Sequence, residues 1–167
     1  MSGEPISQEE LDTLFEAARW APSAGNQQPW RMLYAHRDTS SWSLFYEVLN
    51  PGNKTWCLNA AALVLFVSRT ANSEGRPIKT HSYDTGAAWA NFALQGTVQG
   101  LVVHGMQGFN YEQAREVLRI PQEFALEAMA AVGRPGRKED LSESLQGREF
   151  PSTRRPLAET ISEGIFK

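Results

Sequence analysis

Uncharged polar side chains are grouped in a short stretch between two prolines. Ser23, Asn26 and Gln28 stand between Pro22 and Pro29. Because carboxamides both donate and accept hydrogen bonds, Asn26 and Gln28 could bond the heteroatom edge of a flat ligand, while the prolines restrict the backbone of the loop. The alternative is a rigid polar turn whose amides bond the local backbone, and these residue types alone leave both interpretations open.

Three other polar positions could belong to the same ligand site. Asn53 falls in a predicted turn, and Gln107 with Gly108 lies in a glycine-bounded loop after a predicted strand. Glycine there permits a backbone N–H group to approach a ligand atom closely. Arg154 and Arg155 form a cationic pair suited to a phosphate, unless they are an ordinary solvated surface pair.

The chain shows no spacing typical of a conventional catalytic or metal centre. His36, His81 and His104 are far apart in the sequence, so we expect no metal site. Cys57 lies in an apolar stretch that indicates a structural thiol, and Asp84 at a helix start is interpreted as a first-turn carboxylate. We therefore expect no catalytic side chain. Such a chain is typical of an enzyme whose cofactor carries the reaction, although a binding module would look the same.

The spacing of apolar residues predicts helices that alternate with four short strands. Helices are predicted from Ser7 to Pro22, near residues 44–49, over residues 81–99 and from Asn110 to Pro121, and strands over residues 30–35, 63–67, 101–104 and 124–132. Ser7 with Glu10 forms a capping-box pattern, Asn110 with Gln113 resembles another, and the Asn-Pro-Gly-Asn sequence at residues 50–53 predicts a turn. The chain lacks the glycine-rich turn of a dinucleotide-binding fold, so we predict an α+β fold with a small mixed sheet surrounded by helices. No repeat or linker divides it, so residues 1–167 are expected to form one domain.

Two regions indicate contact with a second copy of the chain. The predicted helix over residues 81–99 is rich in glycine and alanine, which lets another backbone approach closely. The tail over residues 137–167 carries scattered apolar residues without periodicity, so it must cover another surface to keep them from water. Both features favour a homodimer.

Composition and charge argue against several classes of partner. The formal net charge is −3, and no basic block of the kind that binds nucleic acid is present. The longest apolar run, residues 60–67, is too short to cross a bilayer, and residues 1–6 do not resemble a secretory signal. The single cysteine fits a reducing compartment, so we expect a cytoplasmic protein that binds neither nucleic acid nor membrane.

Five segments of the chain, taken in order, resemble the FMN-dependent nitroreductase family. They are residues 16–30, Asn53 with Trp56 and residues 59–61, residues 81–88, residues 105–109 and residues 149–159. The first, Glu-Ala-Ala-Arg-Trp-Ala-Pro-Ser-Ala-Gly-Asn-Gln-Gln-Pro-Trp, is a specific match to the family's opening helix and flavin loop. The resemblance extends from about Ile6 to the C-terminus, and it implies a nitroreductase-like fold and an intertwined homodimer.

The resemblance also implies an activity and a set of cofactor contacts. It implies an FMN-dependent oxidoreductase that uses NAD(P)H to reduce a small acceptor (a nitroaromatic, quinone or enone) in ping-pong order, with hydride passing through the flavin N5. The residues that it assigns to FMN are Pro22, Ser23, Asn26, Gln28, Asn53, Gln107, Gly108 and Arg154. Arg154 would hold the phosphate and Asn53 the pyrimidine or ribityl edge. Residues 22–28 would approach a flavin bound mainly by the other subunit.

The chain departs from the family ahead of its first helix. Family members usually carry an Arg-x-Ser-x-Arg-like segment there that grips the FMN phosphate, whereas residues 1–6 are Met-Ser-Gly-Glu-Pro-Ile. Each charge-assisted contact contributes about 1.5–3 kcal/mol, so weaker FMN binding is expected without two of them. A non-catalytic flavin- or ligand-binding protein of the same fold is therefore the alternative function.

Overall fold

Two compact units make up the chain in the computed structural model, which describes residues 1–166. The first unit spans Met1–Gly136, and the second begins at Arg137. The single domain expected over residues 1–167 ends at a residue outside the described ones, and it stays a prediction.

Helices and strands alternate along the first unit. Its elements are α1 (Gln8–Arg19), β1 (Trp30–His36), α2 (Trp42–Tyr46), α3 (Pro51–Cys57), β2 (Ala62–Arg69), α4 (His81–Val98), β3 (Val102–Met106), α5 (Tyr111–Val117) and β4 (Phe124–Gly133). The second unit contains the short helix α6 (Glu143–Gln146) and single 3₁₀ turns at Lys138–Asp140 and Leu157–Glu159. The absence of periodicity in the tail sequence is consistent with these short elements.

α1 forms where its capping signals predict it. Ser7 Oγ accepts from the Glu10 backbone N–H at 3.1 Å, and the Glu10 carboxylate accepts from the Ser7 N–H at 2.8 Å. This capping box satisfies two N–H groups that the helix itself cannot pair. The apolar face of the helix buries Leu11, Leu14 and Ala18.

The predicted turn over residues 50–53 is wrong, because these residues begin α3. Asn50 is extended and occupies the N-cap position, and Pro51 is the first helical residue. Proline is favoured there, since its fixed φ suits a helix and its missing N–H would have had no helical partner. Asn53 therefore lies on the first turn of a helix.

The four strands form one sheet in the order β1-β2-β4-β3, and all three neighbouring pairs are antiparallel. The α+β class is confirmed, but the expected mixed sheet is wrong in its strand directions. The crossover through α4 makes β2 and β3 run in the same direction, and β4 lies between them and runs opposite to both. Among the described residues, no two parallel strands are therefore neighbours.

The sheet separates two apolar clusters. One face packs against α1 and α4 and buries Phe66 and Phe92, and the other packs against α2, α3 and α5 and buries Leu65 and Met129. β2 is buried along both faces, as its uninterrupted apolar run predicts. In the described part of the chain, no helix combines the length and apolar character needed to span a membrane.

Candidate functional site

A cleft of about 460 Å³ opens between the start of α4, the end of β3 and the middle of β4. It is lined by Phe66, Ser82, Thr85, Gly86, Trp89, Gly105, Met106, Gln107, Glu127 and Ala128. Aromatic and apolar walls with a few polar groups suit a flat ligand held by a small number of hydrogen bonds. Of the residues assigned to a cofactor from the sequence, Gln107 is the one that lines this cleft.

Residues 22–28, here called the amide loop, adopt a backbone conformation that most side chains disfavour. The φ angles of Gly25, Asn26 and Gln28 are 56°, 54° and 45°. A residue other than glycine in this region costs of order 1 kcal/mol or more, and such residues concentrate at ligand sites, where the surrounding structure holds them. The conformation of Asn26 and Gln28 therefore marks the amide loop as a candidate ligand contact.

Hydrogen bonds within the amide loop leave two amide atoms available. Ser23 Oγ accepts from the Gln28 backbone N–H at 3.0 Å, and Gln28 Nε2 donates to Asn26 Oδ1 at 3.1 Å. Within residues 1–166, Asn26 Nδ2 and Gln28 Oε1 have no partner. The loop is therefore a polar turn held by its own hydrogen bonds, and it leaves one donor and one acceptor; the ligand contact at Asn26 and Gln28 stays a prediction.

Asp84 holds the amide loop from the first turn of α4. Its side chain is buried, and Oδ2 accepts from the Ala24 N–H at 3.2 Å and from Thr80 Oγ1 at 2.9 Å. The sequence places Asp84 correctly in a first turn, but it gives no signal for this contact. Ala24 is 60 residues away along the chain, and only the packing of α4 against α1 brings the two together.

The Asn53 carboxamide is hydrogen-bonded within the chain, to Gly108 just after β3 and to Trp56, rather than left open to a ligand. Its Nδ2 donates to the Gly108 carbonyl at 2.9 Å, and its Oδ1 accepts from Trp56 Nε1 at 3.2 Å. The same Gly108 carbonyl accepts from the Asn50 backbone N–H at 2.9 Å. The structure therefore brings Asn53 and Gly108 together, as the sequence grouping implied, and Asn53 fixes the backbone at Gly108.

Close packing also fixes the segment over residues 105–108, here called the glycine segment. A Cβ atom on Gly105 would stand 2.6 Å from the Trp89 ring, and one on Gly108 would stand 2.6 Å from Asn53 Nδ2. Real Cβ contacts are longer than this, so a side chain at Gly105 would force the Trp89 ring to shift, and one at Gly108 would force Asn53 to shift. Trp89, which the sequence analysis did not single out, is the residue that restricts Gly105.

The sequence also singled out the amide loop, Arg154 and Cys57. Within residues 1–166, none of the amide-loop residues lines the cleft. Arg154 lies in the second unit, where its guanidinium donates to Ser152 Oγ at 2.8 Å and its side chain is exposed. Cys57 is buried beside Met106, and burial raises the pKa of its thiol to about 12, which fits the structural role predicted for it.

Glu127 supplies the negative charge of the cleft. The Tyr111 hydroxyl donates to the Glu127 backbone carbonyl at 3.4 Å, and burial, together with the charge of Glu127, raises the pKa of Tyr111. His81 Nδ1 lies 3.4 Å from Glu127 Oε1. The sequence interpretation treated the histidines as isolated and did not select Glu127, because only the packing of α4 against the sheet brings residues 81 and 127 together.

Comparisons with known proteins give concordant results, although the length of chain matched differs among them. The model of the family described as "Nitroreductase family" matches residues 2–50. A protein of Archaeoglobus fulgidus, provisionally named NADH dehydrogenase/NAD(P)H nitroreductase, is 26% identical over 147 residues, which cover 86% of this chain and 82% of that protein. A crystal structure described as an oxidoreductase containing FMN is 44% identical, with a TM-score of 0.95, and the match covers 99% of this chain and 86% of that one.

The chain belongs to the nitroreductase family. A Desulfovibrio desulfuricans structure described as a nitroreductase in complex with FMN is 26% identical, with a TM-score of 0.74, over 98% of this chain and 88% of that one. The nitroreductase fold expected from the resemblance is therefore confirmed. Membership makes the protein an oxidoreductase by class.

Proposed function

We propose that this nitroreductase-family protein is an FMN-dependent oxidoreductase that uses NAD(P)H to reduce a small acceptor such as a nitroaromatic, quinone or enone. The observation that carries the proposal is the 44% identity, over 99% of the chain, with the structure described as an oxidoreductase containing FMN. When bound, FMN would supply the hydride chemistry, taking reducing equivalents from NAD(P)H and passing them to the acceptor in a separate, ping-pong step.

The residues present fit a flavin. The amide loop offers Asn26 Nδ2 and Gln28 Oε1, a donor and an acceptor, to the heteroatom edge of such a ring system. The Thr85 hydroxyl, at the wall of the cleft, is buried and has no partner within residues 1–166, so a ligand or a water can satisfy it. The glycine segment brings bare backbone to the same cleft at Gly105.

Each residue that we assign to the cofactor has a distinct task. Pro22 and Ser23 hold the shape of the amide loop, and Asn26 and Gln28 contact the ring. Gln107 and Gly108 present backbone at the reacting edge, where Asn53 positions Gly108. Arg154 is assigned to the phosphate. In this proposal the side chains orient the ligands and exclude water.

We further propose that the functional unit is a homodimer whose subunits complete each other's sites. One face of α4 leaves Tyr83, Leu94 and Val98 between 66% and 81% exposed, a row of apolar side chains that water disfavours. Gly86 and Ala90 on the same exposed face would allow close approach of a second helix. Because the amide loop does not line the cleft of its own chain, a partner's amide loop is the natural contact for a ligand there.

An absorbance spectrum tests the proposed function. The purified protein, or the protein after incubation with excess FMN, is expected to show bound-flavin bands that bleach when NADH or NADPH is added without oxygen. Reoxidation by a quinone would restore them. Bound flavin that no nicotinamide bleaches would favour the non-catalytic flavin-binding alternative, and a protein that takes up no FMN would contradict the cofactor assignment.

Sedimentation equilibrium with and without FMN tests the dimer. A ligand that contacts both subunits favours the state that contains both, so FMN is expected to lower the dimer dissociation constant.

Arg154→Ala should weaken FMN binding, and the loss of affinity relative to the wild type should shrink at high salt because ions screen the phosphate charge. Arg148→Ala removes another exposed cation of the second unit and is the matched control. A monomer that binds FMN as tightly as the dimer would contradict the composite site.

We propose the cytoplasm as the location, since the single cysteine is a free thiol.

A further inference from the structure

Four polar side chains from three elements meet at the edge of the cleft. Ser68 on β2 and Ser82 on α4 both donate to Glu127 Oε1, the second at 2.8 Å. His81 Nδ1 lies 2.7 Å from Ser68 Oγ and 3.2 Å from Ser82 Oγ. Since each hydroxyl has one proton and gives it to Glu127, the imidazole N–H is the donor to the hydroxyl oxygens.

An irregularity in the sheet turns Glu127 toward this cluster. The β2–β4 register pairs Phe66 with Ala128 and Val67 with Leu126, so Glu127 has no partner residue in the ladder. This arrangement is a β-bulge, which redirects the extra side chain and is common beside binding sites. A regular strand would pair residue 127 with β2, whereas the bulge frees its side chain to reach α4.

The cluster anchors one oxygen of the carboxylate and leaves the other free. Oε1 receives both serine hydroxyls, whereas Oε2 has no hydrogen-bond partner within residues 1–166. The side chain is 24% exposed and lines the cleft. Of the ten lining residues in the described part of the chain, Glu127 is the one with an ionisable carboxyl group, and none carries a cationic side chain. A carboxylate oxygen is an acceptor only, so it attracts donors and cations and repels anions.

We propose that Glu127 determines the charge of the ligand that the cleft accepts, so that small aromatic acceptors with a cationic or hydrogen-bond-donating group are preferred over anionic ones. The description of this ligand as an electron acceptor rests on the proposed function. The charge preference follows from the cleft alone. Trp89 contacts the ring of such a ligand and Glu127 Oε2 accepts from its polar substituent, while Thr85 and Gly105, which line the same cleft, are left to the flavin.

NMR titration of the full chain tests the proposal by direct binding. The three ligands, 4-nitrobenzylamine, 4-nitrobenzyl alcohol and 4-nitrobenzoate, are similar in size and differ in charge. We expect the amine to bind about tenfold more tightly than the carboxylate, because one charge at partial exposure contributes roughly this much. In Glu127→Gln the ratio should approach one. Glu116→Gln, which removes an exposed charge on α5, should leave the ratio as in the wild type.

A second variant separates charge from packing. Glu127→Asp keeps the charge and should retain a cation preference, so it covers the case in which Glu127→Gln does not fold. In the wild type the preference should fall as salt rises, because ions screen the attraction. Equal binding of the three ligands by the wild type, or a preference that Glu127→Gln leaves intact, would overturn the proposal. Failure of flavin binding or bleaching would leave this binding ratio unchanged, so the two proposals fail separately.

Discussion

The amide loop and the glycine segment present similar groups, backbone and carboxamide, but different forces hold them in place. The amide loop keeps a strained backbone through a few hydrogen bonds, from Ser23 within the loop and from Asp84 outside it. The glycine segment is held by contact, since Trp89 and Asn53 occupy the space that side chains would need. Removing one hydrogen-bond acceptor, such as the Asp84 carboxylate, should therefore loosen the amide loop. Adding one methyl group at a glycine should displace the glycine segment.

The largest effect is expected from Gly108→Ala, which tests the contact-held region. The new methyl group would displace Asn53 and break its bond to the Gly108 carbonyl. Overpacking of this kind costs about 1–3 kcal/mol of folding stability, and we expect FMN affinity to fall by at least about tenfold. Thermal unfolding and flavin titration would measure the two effects. Gly52→Ala is the matched control, because a Cβ there meets nothing within 4 Å. Normal FMN binding by Gly108→Ala would show that this backbone is not fixed by packing.

A somewhat smaller loss is expected from Asp84→Ala, which tests the bond-held region. The change leaves the Ala24 N–H and the Thr80 hydroxyl without their acceptor. Because Ala24 is exposed and Thr80 is half-buried, water can replace part of the lost bonding, and we expect a cost of about 1 kcal/mol. If the amide loop contacts the cofactor, FMN should also bind more weakly to this variant. Asp84→Asn keeps an acceptor oxygen and should recover part of the affinity. A variant with lower melting temperature but unchanged FMN affinity would restrict Asp84 to a structural role.

Local signals in the sequence account for much of the fold. The capping box at Ser7 and Glu10, the buried run of β2 and the cap at Asn110 depend on neighbours within a few residues, and the structure confirms them. The turn predicted over residues 50–53 was wrong because its proline and glycine also suit the first turn of a helix. Neighbouring residues therefore predict the local structure correctly where they favour a single conformation, and they fail where two conformations suit the same residues.

The contacts that complete the candidate site are long-range. The insertion of β4 between β2 and β3 made the sheet antiparallel, and the bulge at Glu127 then turned a carboxylate toward His81. The contact of Asp84 with Ala24 likewise depends on packing. No spacing in the sequence signals such contacts, whereas the amide loop could be predicted because its residues lie side by side.

A modest effect is expected from paired changes at Asn26, which separate its side chain from its backbone. Asn26→Gly removes the carboxamide but suits the φ of 54°. Asn26→Ala removes the carboxamide and adds strain, because alanine tolerates this φ less well than asparagine does. Both should weaken FMN binding by about 0.5–1.5 kcal/mol, the contribution of one neutral hydrogen bond. Only the alanine variant should also lower the melting temperature. FMN binding by Asn26→Gly equal to that of the wild type would remove the carboxamide from the proposed cofactor contacts.

The smallest effect is expected at Cys57, which reports on the packing beneath the glycine segment. Its Sγ lies 3.8 Å from Met106 Sδ, and burial raises the thiol pKa to about 12, so the thiol stays protonated near neutral pH. Alkylation with iodoacetamide should be negligible in the native protein and rapid in urea. Because the pKa is raised, reactivity should grow as pH rises toward 12, in step with the thiolate fraction. Bound FMN should slow the residual reaction further, since it favours the closed packing. Rapid labelling of the native protein at about pH 8 would mean that the glycine segment opens readily. The glycine segment would then be no more firmly held than the amide loop.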